Sequence, residues 1–224
     1  MRKLELKVII TGATGMVGEG VLQECIGNSV VKKILLINRS PSGYSHPKIE
    51  ELLHRDFNDL SPIAEKIQGY DACYFCAGIS SVGKTEKEYT KLTYNLTTNF
   101  ASAMAAINPQ MTFCYISGQG TDSSEKGKSM WARVKGRTEN ALTKLPFKAV
   151  YNFRPAFMQP TKGARNVKGF YKVINVLYPF LRIFSKSFFM TLKEVGNAML
   201  SVTMYGYGKN ILETEDILLL SKRK

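Results

Sequence analysis

The residues best suited to chemistry lie near the amino terminus. A β-branched run at Leu6–Ile10 ends in Thr11-Gly12-Ala13-Thr14-Gly15-Met16-Val17-Gly18, with glycines at every third position. Between a strand and a helix, such glycines serve a tight turn, close approach of backbone to a diphosphate, and close packing of helix on strand. The helix beginning near Met16 offers free N–H groups and the positive end of its dipole, which favour a phosphate. Thr11, Gly12, Thr14, Gly15, Met16, Val17 and Gly18 are therefore candidate dinucleotide-binding residues. The second signal follows the second apolar run. A site for NAD usually places Asp or Glu there to hold the ribose diol, whereas this sequence has Asn38-Arg39-Ser40. Arg39 is suited to charge-assisted bonds with a 2′-phosphate, with Ser40 assisting and Asn38 beside them. NADP is expected in preference to NAD.

Other reactive residue types do not assemble. Cys73-x-x-Cys76 has the spacing of a redox or metal motif, but residues three apart on a strand point to opposite faces. Both read as small buried hydrophobes. The two histidines, His46 and His54, fall in one crossover, far in sequence from Ser117. Neither a metal site nor a Ser-His-Asp triad is expected.

Six apolar runs alternate with helical patterns and must position these residues. The runs are Leu6–Ile10, Ile34–Ile37, Ile49–His54, Ala72–Cys76, Met111–Ile116 and Ala149–Phe153. Helical spacing covers residues 16–26, Thr85–Ile107, Ser129–Leu145 and Leu192–Met204, with a further strand at Ile211–Glu213. Continuous apolar strands between helices imply a parallel sheet covered on both faces. The expectation is an α/β fold, a Rossmann-type doubly wound parallel sheet with a small C-terminal cap. Residues 1–160 would form the nucleotide-binding core and residues 161–224 a substrate cap within the same structural domain. With 224 residues, 44% of them hydrophobic, the chain can bury a core without disulfide or metal staples. Four cysteines, and an opening that runs directly into a strand without a cleavage site, point to a reducing, cytoplasmic location.

With these elements placed, the chain resembles the short-chain dehydrogenase/reductase superfamily, in the atypical, epimerase/dehydratase-like branch that includes Tat-interacting-protein-type oxidoreductases. Gly12 to Gly18 matches the cofactor loop. Asp56-Phe57 matches the adenine-contact position, and Cys76-Ala77-Gly78 the element beneath the adenosine ribose. Ile116-Ser117-Gly118 matches the strand end that carries the catalytic serine. Arg154-Pro155-Ala156-Phe157-Met158 is similar to the segment whose backbone meets the nicotinamide carboxamide, so the resemblance implies contacts at Pro155, Phe157 and Met158. It also implies catalytic roles for Ser117 and Lys135, with Lys135 holding the ribose. One position departs. The family pairs Tyr and Lys one helical turn apart, and Trp131 stands where the tyrosine belongs. An indole N–H donates a hydrogen bond but cannot exchange its proton near neutral pH, as a general acid must. Substitutes are sought in Tyr115, on the Ser117 face of the strand but deep in the sheet, and in the polar loop Gln119–Met130.

The charge is uneven. The chain carries +13, yet residues 1–125 sum to −1 and residues 126–224 to +14. Such asymmetry suits an anionic partner on the C-terminal half, or a solvated basic surface. Between Phe170 and Phe184, apolar residues recur at helical spacing among Lys168, Lys172 and Arg182, divided by Pro179. The uncharged run Val173–Leu181 is nine residues, too short to span a bilayer. The segment reads as a lid over the substrate crevice, or as a peripheral contact with anionic membrane through residues 168–190. No recognised motif supports a nucleic-acid surface. The functional expectation is an NADP-dependent oxidoreductase on a small carbonyl or nucleotide-linked substrate, with a homodimer as a possible assembly. The alternatives are a non-catalytic NADP(H)-binding redox-sensing or assembly module, which Trp131 favours, and a sugar-nucleotide epimerase/dehydratase.

Overall fold

Aliphatic and aromatic residues fill most positions of the apolar runs, and the runs become strands buried on both faces except at the edge, where Ile49–Leu53 is partly exposed. The structure, a computed structural model, describes residues 5–161, 163, 165–166 and 189–223. The strands are β1 (Leu6–Thr11), β2 (Val31–Asn38), β3 (Ile49–Leu53), β4 (Ala72–Phe75), β5 (Thr112–Ile116), β6 (Ala149–Phe153), β7 (Phe157–Gln159), β8 (Phe189–Thr191) and β9 (Ile211–Leu212). Seven form one parallel sheet in the order β3-β2-β1-β4-β5-β6-β9, and β7 pairs with β8 apart from it. Side chains alternate between the faces. Val8, Ile10, Ile34 and Tyr74 pack with Leu22 of helix α1 (Met16–Gly27) and Met199 of a later helix. Ile9, Leu35, Cys73 and Phe75 pack on the other face with Phe100, Met104 and Leu142. Cys73 and Cys76 thus belong to opposite faces, and burial pushes both thiols up.

The remaining helices are α2 (Ala64–Ile67), α3 (Glu86–Thr90), α4 (Leu96–Ile107), α5 (Met130–Leu142), α6 (Leu192–Tyr205) and α7 (Thr214–Leu220). Several differ from expectation for identifiable reasons. The long helix predicted over 85–107 is divided by a π-helical turn, Lys91–Asn95, a widening that periodicity does not register. The helix predicted to reach Leu145 stops at Leu142, because Pro146 disfavours helical geometry before it. Helix α7 was not predicted. Its signal is a capping box in which Glu213 and Asp216 each accept the other's backbone N–H, so Glu213 caps a helix instead of extending β9.

The C-terminal residues 189–220 are woven into the core. β9 hydrogen-bonds along β6, and α6 lies against α1. Close approach depends on glycine, since a Cβ on Gly20 would lie 2.5 Å from the Leu192 Cβ. The amphipathic lid or membrane helix expected between Lys168 and Lys186 lies outside the described residues.

Candidate functional site

β1 pairs with β2 on one side and β4 on the other, so the winding reverses at β1. The loops leaving the C-terminal ends of these strands part to form a crevice, as they do at a topological switch point. Gly12, Thr14 and Gly15 line it from the turn after β1, Asn38, Arg39 and Ser40 from β2, and Cys76, Ala77 and Gly78 from β4. Phe57, Ile79, Leu92 and Leu96 complete it with apolar walls.

The three glycines of the loop do different things. Gly12 has φ +71°, and a Cβ on it would lie 2.7 Å from the Ala77 amide nitrogen. A Cβ on Gly18 would collide with the Gly12 carbonyl oxygen, backbone against backbone. On Gly15 a Cβ would meet only that oxygen, at 3.4 Å. Gly12 and Gly18 therefore let strand, turn and helix close up, and Gly15 keeps space at the start of α1. No side chain caps α1 there, which leaves its first amides available to an anion.

Around this cradle the predicted polar contacts divide. Arg39 and Ser40 are exposed at the crevice, and Arg39 forms no ion pair with any described residue. Thr11 and Asn38 are buried and engaged inside. The Ala77 N–H donates to Thr11 Oγ1 at 3.3 Å, and the Ala13 N–H donates to Asn38 Oδ1 at 3.2 Å. Both shape the turn through these bonds, and Asn38 also lines the crevice. The side chains of other expected contacts lie outside the crevice lining, although the Met16 and Val17 amides open α1 directly after Gly15, which lines it. Met16 and Val17 are half-buried, Val17 against the core. Asp56 accepts from the backbone and side chain of Asn58, folding its own exposed turn. Beyond β6, the Pro155 carbonyl accepts from the Gln119 N–H at 3.0 Å, Phe157 meets the Phe189 ring and Met158 pairs with Met190. Strand pairing, invisible in the local sequence, takes up this segment.

At the β5–α5 end, Ser117 is buried and its Oγ donates to the Phe153 carbonyl at 3.0 Å. Lys135 Nζ donates to the Ile116 carbonyl at 3.1 Å and lies 5.5 Å from the Tyr115 ring centre. Desolvation pulls its pKa down to about 8, against the opposing pull of Glu139. Lys135 and Tyr115 line a small polar cavity with Thr93 and Thr97, and this cavity shares Ala77, Gly78, Ile79 and Leu92 with the crevice. Lys135 therefore sits at the inner end of the crevice. The Tyr115 hydroxyl is buried with no hydrogen bond of good geometry among the described residues, and burial raises its pKa far beyond use as an acid. In the Gln119–Met130 loop, Asp122 accepts from the Ser124 hydroxyl and the Gly127 N–H. The Trp131 ring packs beside Gly120, one helical turn before Lys135.

A buried ion cluster underlies this end. The Arg154 guanidinium binds Glu139 through two hydrogen bonds, Glu213 at 3.0 Å and Ser123. His54 and His46 lie beside β3, four strands from β5 across the sheet. Among the described residues no group of three or more His, Cys, Asp or Glu could hold a metal, and no helix is long and apolar enough to cross a membrane.

The sequence profile of the NAD dependent epimerase/dehydratase family matches residues 8–151, from β1 through β6. The chain belongs to that family. Membership places it in the extended short-chain dehydrogenase/reductase-like superfamily. Among relatives, Leucinostatins biosynthesis cluster protein T of Purpureocillium lilacinum is 29% identical over 143 residues, 62% of this chain and 52% of that protein. Protein HTATIP2 of Rattus norvegicus is 25% identical over 153 residues, 67% of this chain and 62% of that protein. The chain thus matches between half and two-thirds of the length of these relatives. Among solved structures, uronate dehydrogenase from Agrobacterium tumefaciens superposes with a TM-score of 0.66 at 16% identity, covering 93% of this chain and 76% of that one. The Bordetella bronchiseptica enzyme WbmF, in complex with NAD+, gives 0.65 at 12% identity, covering 98% and 78%. At such identities the likeness is one of fold.

Sequence reading missed four crevice residues, Ile37, Ile79, Leu92 and Leu96, whose apolar character is indistinguishable from that of core residues. It also missed Glu51, which reaches the crevice turn from the neighbouring strand.

Proposed function

We propose that this epimerase/dehydratase-family chain binds a nicotinamide dinucleotide, NADP(H) in preference to NAD(H), and acts as an oxidoreductase on a small carbonyl or nucleotide-linked substrate. The observation that carries the reading is the open cradle at Gly15 with the exposed Arg39 guanidinium, in no ion pair with a described residue, at its edge. The residues fit the group. The first amides of α1 suit a diphosphate, and Phe57, Leu92 and Leu96 offer apolar walls to a purine. Arg39 and Ser40 suit a 2′-phosphate, and the turn Asn38-Arg39-Ser40 itself contains no Asp or Glu. The NAD+ complexes described for WbmF and for a uronate dehydrogenase variant, both of this fold, support dinucleotide binding.

A bound nicotinamide supplies hydride chemistry, and the chain supplies the rest. Lys135 holds at Nζ a proton that it can release near neutral pH. Ser117 Oγ keeps its lone pairs free to accept from a substrate hydroxyl while its own hydrogen is committed to Phe153. The Trp131 indole can orient a substrate oxygen but cannot deliver a proton to it. This last feature favours a second reading, a non-catalytic NADP(H)-binding module. Titration with NADPH and NADH tests the binding reading. Arg39→Ala should weaken NADPH about 10- to 100-fold and leave NADH nearly unchanged. NADPH oxidation with a carbonyl panel, in wild type and Trp131→Tyr, separates the two functions. Turnover by the wild type supports the oxidoreductase, and turnover by the variant alone supports the module.

A further inference from the structure

Glu51 sits on β3, the edge strand of the sheet, opposite Leu36 of β2. Leu36 and Asn38 share a face of β2, so a side chain leaving position 51 can reach the end of that strand. One carboxylate oxygen, Oε1, accepts from Asn38 Nδ2 at 2.9 Å and from the Ser42 backbone N–H at 2.8 Å. These two donors bracket Arg39-Ser40-Pro41. The same Asn38 amide accepts from the Ala13 N–H of the glycine loop. Glu51 itself does not line the crevice.

We infer that Glu51 is a positioning residue for cofactor selectivity: by pinning both ends of the 39–41 turn it holds Arg39 and Ser40 ready for a 2′-phosphate. The inference rests on the dinucleotide reading above and deepens it. Its logic is preorganisation. Arg39 is exposed and loses side-chain freedom when it grips a phosphate, and a turn already fixed beneath it reduces that cost. Orientation matters as well. With Glu51 accepting, the Asn38 Nδ2 must face β3 and its Oδ1 must face Ala13, so the amide cannot flip without losing both contacts. A carboxylate brought in from β3 thus serves the opposite purpose to one at the end of β2. It organises a phosphate site and does not take a ribose diol.

The experiment measures affinities for NADPH and NADH by fluorescence of Trp131, the single tryptophan. Glu51→Ala and Glu51→Asp are expected to weaken NADPH about tenfold and NADH less than about twofold. Glu51→Gln keeps an acceptor in place and should restore the wild-type ratio. In an Arg39→Ala background the Glu51→Ala change should no longer alter the ratio, because the group being positioned is gone. Thermal melts without nucleotide verify that each variant is folded. An unchanged NADPH/NADH ratio in both Glu51→Ala and Glu51→Asp, or an equal fall in both affinities, would overturn the inference while leaving the dinucleotide reading intact. Absence of binding to either nucleotide by the wild type would remove that reading and this inference together.

Discussion

At the glycine-loop end of the crevice, the groups that could meet a ligand are left free. Gly15 keeps open space, α1 has no side-chain cap, and Arg39 has no partner among described residues. At the β5–α5 end the corresponding groups are engaged. Ser117 donates to Phe153, Lys135 donates to Ile116, and Arg154 is enclosed by Glu139 and Glu213. The contrast teaches that binding and turnover are separable here. The first end presents backbone amides and one cation, and any sequence preserving the turn retains the amides. The second depends on particular side chains, and the one that should carry a mobile proton is an indole.

This comparison can be broken in order of expected effect. Removing the buried carboxylate in Glu139→Ala leaves the Arg154 guanidinium to the half-exposed Glu213 and to Ser123, and should cost about 3 kcal/mol of stability in urea unfolding. A loss below about 1 kcal/mol would mean that the β5–α5 end is not held by its ion cluster. At the other end, Gly18→Ala forces a methyl against the Gly12 carbonyl and should destabilise by about 3 kcal/mol. Gly15→Ala should scarcely alter the melting temperature yet lower NADPH affinity tenfold or more. If the two alanines behave alike, the division of labour among the glycines is wrong.

Lys135 gives a comparable effect with a definite sign. Its folded-state pKa of about 8 lies below the ordinary 10.5, so between these values the unfolded chain binds more protons. Unfolding free energy should therefore rise with pH across that window, by about 3 kcal/mol, and Lys135→Met should abolish the rise. The smallest effect concerns Glu19, buried in the first turn of α1. Burial pushes this carboxyl up, but the Tyr44 hydroxyl and the Arg165 and Asn166 amides more than reverse the push, leaving its pKa below the ordinary 4.5. The stability it confers is present above that value and is lost as pH falls through the lower, folded-state pKa. Glu19→Gln should flatten the acid side of the stability curve by about 1 kcal/mol. An unchanged acid limb would mean that Glu19 does not hold residues 165–166 through its charge.

Much of the architecture was legible because its signals are local. The period and flanks of each apolar run located β1 to β6, and the glycine spacing located the turn that lines the crevice. The π-helical turn at Lys91–Asn95 escaped because a widened turn preserves the apolar pattern around it. The intramolecular partners of Asp56 and of the 155–158 segment, Asn58 in a turn and Gln119, Phe189 and Met190 elsewhere, were not legible because they depend on turn geometry and on strand pairing between distant segments.

By itself the sequence determined the parallel sheet, the glycine turn and the indole at position 131, since each follows from residue type and spacing along the chain. Only the tertiary structure decided which polar groups remain free. That Thr11 and Asn38 are consumed and Arg39 is not, that Lys135 loses its water, and that Glu51 reaches across from β3 all depend on contacts between segments distant in sequence. Hydrogen bonding and desolvation are set by what surrounds an atom, and the order of residues does not specify those surroundings until the strands are laid side by side.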